Sequence, residues 1–140
     1  MAEMLNVNVV TYPLPDTATG WQGNDVIGHV MKAPAAGMGG AITILNAYVV
    51  LQAATNAGTA QAYQLENHGT SGTAIKSGAA GTVAAAIGGT ADLFAAATPK
   101  AFTLSYPKLA AGEWLVLRKT ETNSSDPTRG VLVVEYLHGV

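Results

Sequence analysis

Turn-forming residues interrupt this chain so often that only short elements of secondary structure can fit between them. Runs rich in β-branched and aromatic residues are separated by Gly, Pro, Asn and Ser, which is typical of strands rather than helices. The strand-like runs are Val7–Tyr12, Asp25–Lys32, Ala41–Ala54, Ala60–Asn67, two weak strands within Gly69–Gly89, Ala101–Ser105, Glu113–Glu121 and Val131–His138. About eight short antiparallel strands of this kind predict one all-β domain, a β-sandwich or jelly roll.

Several of these runs carry more specific expectations. Pro13 and Pro15 should end the first strand, and Gly69–Gly89 could be disordered instead of forming strands. The nearly continuous apolar run Ala41–Ala54 predicts a strand with both faces covered. Ala91–Ala97 has the composition of a single helical turn.

Two pairs of runs are predicted to be hairpins. Ala41–Ala54 and Ala60–Asn67 are separated by a short polar turn, and the second run should direct Tyr63 and Leu65 inward. Glu113–Glu121 and Val131–His138 should pair in the same way, joined by an exposed loop.

Length and charge limit the possible functions. The chain has 140 residues, which fits one domain spanning 1–140. Charged residues make up 11% of it and the net charge is −2, whereas charged residues are about 25% of an ordinary soluble domain. Its few basic residues are scattered, which argues against nucleic-acid binding. A weakly charged surface favours packing against copies of the chain or a larger partner, although a low-charge monomer is the alternative.

No part of the sequence predicts membrane insertion or secretion. No apolar run approaches the roughly 18 residues of a membrane span, and the first residues lack a basic region followed by an apolar stretch. We therefore expect the chain to be made and folded in a cytoplasm. The absence of cysteine removes disulfides, thiolate zinc sites and cysteine nucleophiles.

The sequence contains no recognisable catalytic, cofactor or metal motif. His29, His68 and His138 lack the spacing of a metal-binding helix, so we expect them to be unrelated. Gly69-Thr-Ser-Gly72 resembles part of a nucleophile elbow, but the motif would require Gly where Thr73 stands. The Gly-rich stretches lack a phosphate-loop ending. The prediction is a protein that is not an enzyme.

Five of the nine carboxylates fall on predicted strands or at strand ends, where they could in principle form an acid–base pair. Within the predicted C-terminal hairpin, however, Glu121 and Glu135 would lie across from Arg118 or Lys119, and a cross-strand ion pair explains them more simply. The other candidates are Asp25, Glu66 and Glu113.

Four aromatic residues are candidates for binding or packing. Tyr12, Trp21 and Tyr106 lie in turn-rich stretches, where an exposed ring could stack on a sugar or anchor an interface. For Trp21 the alternative is a loop ring that packs onto the sandwich. Trp114 begins an apolar strand and is expected in the core.

The C-terminal third resembles the ending of many small virion proteins of tailed bacteriophages. The matching segments are Leu109-Ala-Ala-Gly-Glu-Trp-Leu-Val-Leu-Arg118 and Gly130-Val-Leu-Val-Val-Glu-Tyr-Leu-His-Gly139. The Ala/Gly/Thr-rich middle and the low charge are similar to head decoration (cement) proteins. The resemblance implies a β-sandwich or β-tulip-like protein that sits, commonly as a homotrimer, on the outside of the major capsid lattice and stabilises the viral head. The partner would be the major capsid protein.

Under this resemblance, residues 1–15 are a candidate docking arm. The prolines prevent the segment from continuing as a central strand, while Val7, Val9 and Val10 could add to a neighbour's sheet edge. The alternative is an ordinary first strand. The full set of candidate interface residues is Val7, Val9, Val10, Tyr12 and Trp21.

Two other functions remain open from the sequence. Similar endings occur in tail-associated jelly rolls that bind receptors or carbohydrates, for which Trp21 and nearby tyrosines would form the platform. A small hydrolase built on a β-sandwich is the third possibility. It would require a pocket in which histidines and carboxylates converge.

Overall fold

Strands dominate the computed structural model, which describes residues 6–14, 26–120 and 129–139. The described residues form nine strands: β1 (Asn8–Leu14), β2 (Val26–Lys32), β3 (Ile42–Leu51), β4 (Ala62–Asn67), β5 (Thr82–Gly88), β6 (Lys100–Ala101), β7 (Lys108–Leu109), β8 (Trp114–Lys119) and β9 (Gly130–His138). The two short 3-10 helices are Ala36–Met38 and Ala79–Gly81. The prediction of an all-β fold is confirmed.

The strands pair into two antiparallel sheets. In the front sheet the order is β1-β9-β3, with β6 and β7 both lying along the far edge of β3. In the back sheet the order is β2-β8-β4-β5. If β6 and β7 count as one interrupted edge strand, each sheet has four strands, and the two strand orders together are those of a jelly roll. The predicted sandwich is therefore present.

Both predicted hairpins are wrong. β3 lies in the front sheet and β4 in the back sheet, and β8 and β9 are separated in the same way. A turn-rich connection looks alike in sequence whether the chain folds back within one sheet or crosses to the other. In a jelly roll most connections cross, so β8 pairs with β2 and β4 while β9 pairs with β1 and β3.

The core fills the space between the two sheets. Tyr63 and Leu65 are fully buried, as predicted from the alternation in β4. Phe94 and Phe102 come from connecting segments and join the same apolar cluster. Each large buried side chain contributes about 1.5–3 kcal/mol relative to an exposed one. The other large core residues are Leu14, Val30, Ile42, Ile44, Val49, Leu51, Val83, Leu109, Leu115, Leu117, Leu132 and Val134.

The apolar run in β3 does not have both faces covered. The pairing with β9 shifts between Ile44 and Asn46, so Leu45 is an inserted bulge residue and is 45% exposed. The shift changes which residues face inward, from Ile42 and Ile44 before the bulge to Val49 after it. One face of β3 is in the core, and the other, which carries polar as well as apolar side chains, is only half-buried.

Three smaller expectations also change. Pro13 lies inside β1 rather than ending it, because β1 is an edge strand and tolerates a residue without an N–H. Within Gly69–Gly89 there is one strand, β5, preceded by an ordered loop. Ala91–Ala97 forms no helix, and its Phe94 is buried in the core instead. Among the described residues, no helix is long and apolar enough to span a bilayer.

Candidate functional site

The outer face of the back sheet carries polar side chains at alternate positions. On β4 and directly after it, Gln64, Glu66 and His68 point away from the core, because Tyr63 and Leu65 point into it. Arg118 of the neighbouring strand β8 is paired in register with Gln64. The strand period thus gathers four polar residues on one surface.

Glu66 is the centre of this group. It is only 3% exposed, yet its carboxylate accepts hydrogen bonds from three side chains. Arg118 Nε donates to both oxygens, at 2.8 and 3.1 Å. His68 Nε2 lies 2.9 Å from Oε1, and Gln64 Nε2 donates to Oε2 at 3.2 Å. A buried carboxylate needs this degree of pairing to remain charged.

The geometry determines where the His68 proton sits. A carboxylate only accepts hydrogen bonds, so Nε2 of His68 carries the proton that it donates to Glu66. The other ring nitrogen, Nδ1, is buried and has no hydrogen-bond partner. Neither nitrogen is placed to take a proton from a bound molecule, so this pair lacks the geometry of a general base and its orienting carboxylate.

A loop lies over this surface, which we call the covering loop (residues 69–78). Gly72 holds it in place, since its N–H donates to the His68 carbonyl at 3.1 Å and its carbonyl lies 2.6 Å from His29 Nε2. Gly72 has a φ of +72°, and a Cβ there would lie 2.7 Å from the Trp114 ring. Glycine is therefore required both by the backbone conformation and by the close approach to the ring.

Glu113 fastens the far end of the covering loop. Its carboxylate accepts hydrogen bonds from Lys76 Nζ at 2.7 Å, Asn67 Nδ2 at 2.7 Å and the Ala110 N–H at 2.8 Å. Partial burial raises the pKa of Glu113, but these hydrogen bonds outweigh it and bring the pKa below its usual 4.5. The ionised form is thus the one that the fold stabilises.

A pocket of about 450 Å³ opens beside the covering loop. The expectation that the histidines are unrelated is wrong for two of them. The His29 and His68 rings both line this pocket and meet edge to face, with centroids 6.4 Å apart. The hydroxyls of Ser71 and Thr73 lie 3.1 Å from each other. The described residues contain no group of three or more potential metal ligands. The pocket is lined by Val26, His29, His68, Ser71, Gly72 and Thr73.

Trp114 and Arg118 occupy different surroundings from those predicted. Trp114 is on the outer face of the back sheet rather than in the core, with the His29 ring 5.2 Å away and Lys32 Nζ 5.5 Å from its centroid. Arg118 pairs with Glu66 and not with a residue of β9, because β8 and β9 are in different sheets. Glu121, its other predicted partner, lies outside the described residues.

The outer face of the front sheet has the opposite character. Register places Pro13, Val131 and Val50 in one row across β1, β9 and β3, and Thr11, Val133 and Tyr48 in the next. These side chains are half-buried or exposed. Glu135 is the one carboxylate among the central positions of this face. The remaining members of the face are Val9, Asn46, Leu137 and Thr43.

The predicted interface residues divide between surface and core. Val7 and Val9 are exposed, by 49% and 59% respectively. Val10 and Tyr12 are partly buried and pack against the core, and the Tyr12 hydroxyl lies over Gly28 at the sandwich edge. Trp21 lies outside the described residues, as do residues 1–5 and Pro15 of the proposed arm. Asn8–Leu14 forms an ordinary first strand.

The polar group under the covering loop was not predicted as a unit. One signal for it was present, since Gln64, Glu66 and His68 occupy every second position of a strand whose other residues are apolar. Nothing local in the sequence pairs Glu66 with Arg118, because 52 residues separate them.

Comparison with known proteins identifies no relative. No family model matches the chain, and neither a curated protein nor a solved structure matches it. Its function is therefore inferred from the fold, the two outer faces and the chemistry of the named residues.

Proposed function

We propose that this chain is a non-catalytic structural protein of a tailed-phage virion that binds the outside of the major capsid lattice and stabilises the head. The observation that carries the proposal is the outer face of the front sheet. It presents three adjacent strands of mainly β-branched and aromatic residues at the surface. Contiguous apolar surface of this kind marks sites of interaction with other macromolecules.

Three further properties support the proposal. The strand order is that of a jelly roll, an architecture found in viral capsid proteins and also in lectins. Fold alone does not specify function, but charged residues at 11% of the chain also suit a molecule that is embedded among others. The ending of the chain resembles those of phage decoration proteins. Many weak contacts repeated over a lattice give a large total stabilisation.

The His29–His68 pocket does not favour an enzyme. The proton on His68 Nε2 is donated to Glu66 and its other nitrogen is buried, so His68 is not placed to act as a base toward the pocket hydroxyls, and Nε2 of His29 is engaged by the Gly72 carbonyl. A hydrolase would need a nucleophile hydrogen-bonded to such a base.

The proposal is tested by adding the purified chain to expanded capsids of the virus that encodes it. We expect co-sedimentation with the capsids and an increase in their melting temperature. Val133→Lys, which places a charge at the centre of the front face, should abolish both effects. The matched control is Ile75→Lys, since Ile75 is an exposed apolar residue of the covering loop, 43% accessible, on the opposite side of the molecule.

Two results would overturn the proposal. The first is a capsid whose melting temperature is unaffected by the wild-type chain at saturating concentration. The second is equal binding by Val133→Lys and Ile75→Lys, which would show that the front face is not the contact. Binding to a glycan array, lost in Trp21→Ala, would instead support the tail-associated carbohydrate-binding function.

A further inference from the structure

The four edges of the sandwich differ in how well they are protected against pairing with another strand. Natural sheet edges are usually shortened, bulged, charged or covered, because a long regular edge is a template for a further strand. Of the four edges, β1 is the least protected.

Three edges carry such protection. β2 has two register shifts against β8 and ends in Lys32. Along β5, the segment after β6 covers the edge, since Ser105 and Tyr106 both donate N–H groups to the Val83 carbonyl. The remaining edge is made of β6 and β7, which have two residues each and contain Lys100 and Lys108.

β1 has almost none of these features. Its seven residues pair with β9 in an unbroken register, and none of them is charged. On its other side no strand pairs with it among the described residues. Within the described ranges, its one protective feature is Pro13 near the C-terminal end of the strand.

Hydrogen bonds at the ends of β9 show which backbone groups of β1 point outward. The Arg129 carbonyl accepts from Gln52 at 2.8 Å, and the Gly139 N–H donates to Ala41 at 2.7 Å. Odd-numbered residues around β9 therefore face β3, and its even-numbered residues face β1, because strand residues alternate.

The register then assigns the backbone groups of β1. Asn8, Val10, Tyr12 and Leu14 pair with the even-numbered residues of β9, so their N–H and C=O groups are used within the sheet. Those of Val9 and Thr11 point outward, and extending the same alternation includes Val7. Pro13 occupies the next outward position, where its missing N–H costs the sheet nothing.

We infer that the β1 edge pairs with the β1 edge of a second copy of this chain, antiparallel about a two-fold axis at Val9. A second copy fits because the pairing is self-complementary: Val9 opposes Val9, and Val7 opposes Thr11. Three outward N–H and C=O pairs per copy give about six hydrogen bonds. Pro13 ends the ladder, and the absence of charge on β1 removes electrostatic repulsion between the copies.

This pairing uses a different surface from the capsid contact proposed above. It joins two front sheets into one continuous sheet and leaves the outer face of each available. It also differs from the homotrimer that the resemblance implies, so the number of copies in solution decides between the two arrangements.

Sedimentation equilibrium of the full chain tests the inference. We expect a reversible dimer, and Val9→Pro should raise its dissociation constant at least about 100-fold, because it removes the two central N–H donors. Val9→Ala is the matched control, since it shortens the same side chain but keeps the N–H, and it should leave the dimer intact. Val133→Lys should also remain dimeric while losing capsid binding.

Hydrogen exchange provides a second measurement that needs no substitution. The amides of Val7, Val9 and Thr11 should become protected as the concentration of the wild-type chain rises, and the amide of Ile75 should not change. A wild-type chain that stays monomeric or forms a trimer would overturn the inference. So would a dimer that survives Val9→Pro, or one that Val9→Ala disrupts to the same extent.

Discussion

The two outer faces of this sandwich differ in the polarity of their side chains and in how far those side chains are exposed to solvent. The back face is polar and carries the covering loop, and Glu66 and His68 on this face are each only 3% exposed. The front face is mainly β-branched and aromatic, yet Val9 at its margin remains 59% exposed. Within the described residues, the polar group on the back face is buried, whereas the side chains of the front face are half-buried or exposed.

This contrast shows where the molecule makes internal contacts and where it is suited to make external ones. The covering loop is held by hydrogen bonds and an ion pair that involve His68, His29 and Glu113, all of them made within the chain. On the front face the apolar side chains of the central rows are half-buried. Under the proposed function, a partner that covers these rows would gain free energy from their burial.

The largest expected effect is the loss of the buried carboxylate. Glu66→Ala leaves Arg118 and His68 without their acceptor and should destabilise the fold by about 3 kcal/mol. The matched control is Glu135→Ala on the front face, where a half-exposed carboxylate should contribute less than about 0.5 kcal/mol. Urea unfolding at neutral pH measures both. Equal costs would remove the distinction between a covered and an open face.

The next largest loss of stability tests whether Gly72 holds the covering loop against the sheet. Gly72→Ala forces a Cβ against Trp114 at a φ of +72° and should cost about 2 kcal/mol. Gly37→Ala is the control, because a Cβ at Gly37 would meet nothing within 4 Å. Faster hydrogen exchange in residues 69–78 of Gly72→Ala would show that the loop has lifted. Unchanged exchange would mean that Gly72 does not hold it.

A smaller change in the free energy of unfolding is expected when the pH is lowered. Because the pKa of Glu113 is lowered in the folded state, its contribution to stability is present above the usual value of 4.5 and is lost as the pH falls below it. Glu113→Gln should therefore be less stable than the wild type at pH 7 and should lose less stability on acidification. Unfolding free energies between pH 7 and pH 3 test this. Parallel pH profiles for the two proteins would contradict it.

The sequence predicted elements more successfully than it predicted their partners. Periodicity located β4 and the inward direction of Tyr63 and Leu65, because alternation is a local property. It could not show that β3 and β4 belong to different sheets, since the residues of a crossing connection are also those of a tight turn. The same limit explains why Arg118 was paired with the wrong strand.

The two faces were predictable to different degrees for a related reason. Val131 and Val133 alternate with core residues, so apolar positions on both faces of β9 are visible in the sequence. The covered polar group on the back face depends on contacts between β2, β4, β8 and a loop, which are distant in the chain. The bulge at Leu45 was likewise invisible, because a single inserted residue in an apolar run leaves the composition unchanged.

The smallest expected effect is the difference between the same substitution, valine to threonine, made on each of the two faces. Val116 is fully buried on the outer face of the back sheet, whereas Val133 is half-buried on the front face. A threonine hydroxyl at Val116 would lose contact with water, so Val116→Thr should cost about 1 kcal/mol more than Val133→Thr, which can hydrogen-bond to solvent. Denaturant unfolding of dilute protein, with Val131→Thr as a second front-face variant, measures the difference. If Val133→Thr costs as much as Val116→Thr under these conditions, some part of the same chain covers the front face, and that face is not free to bind a partner.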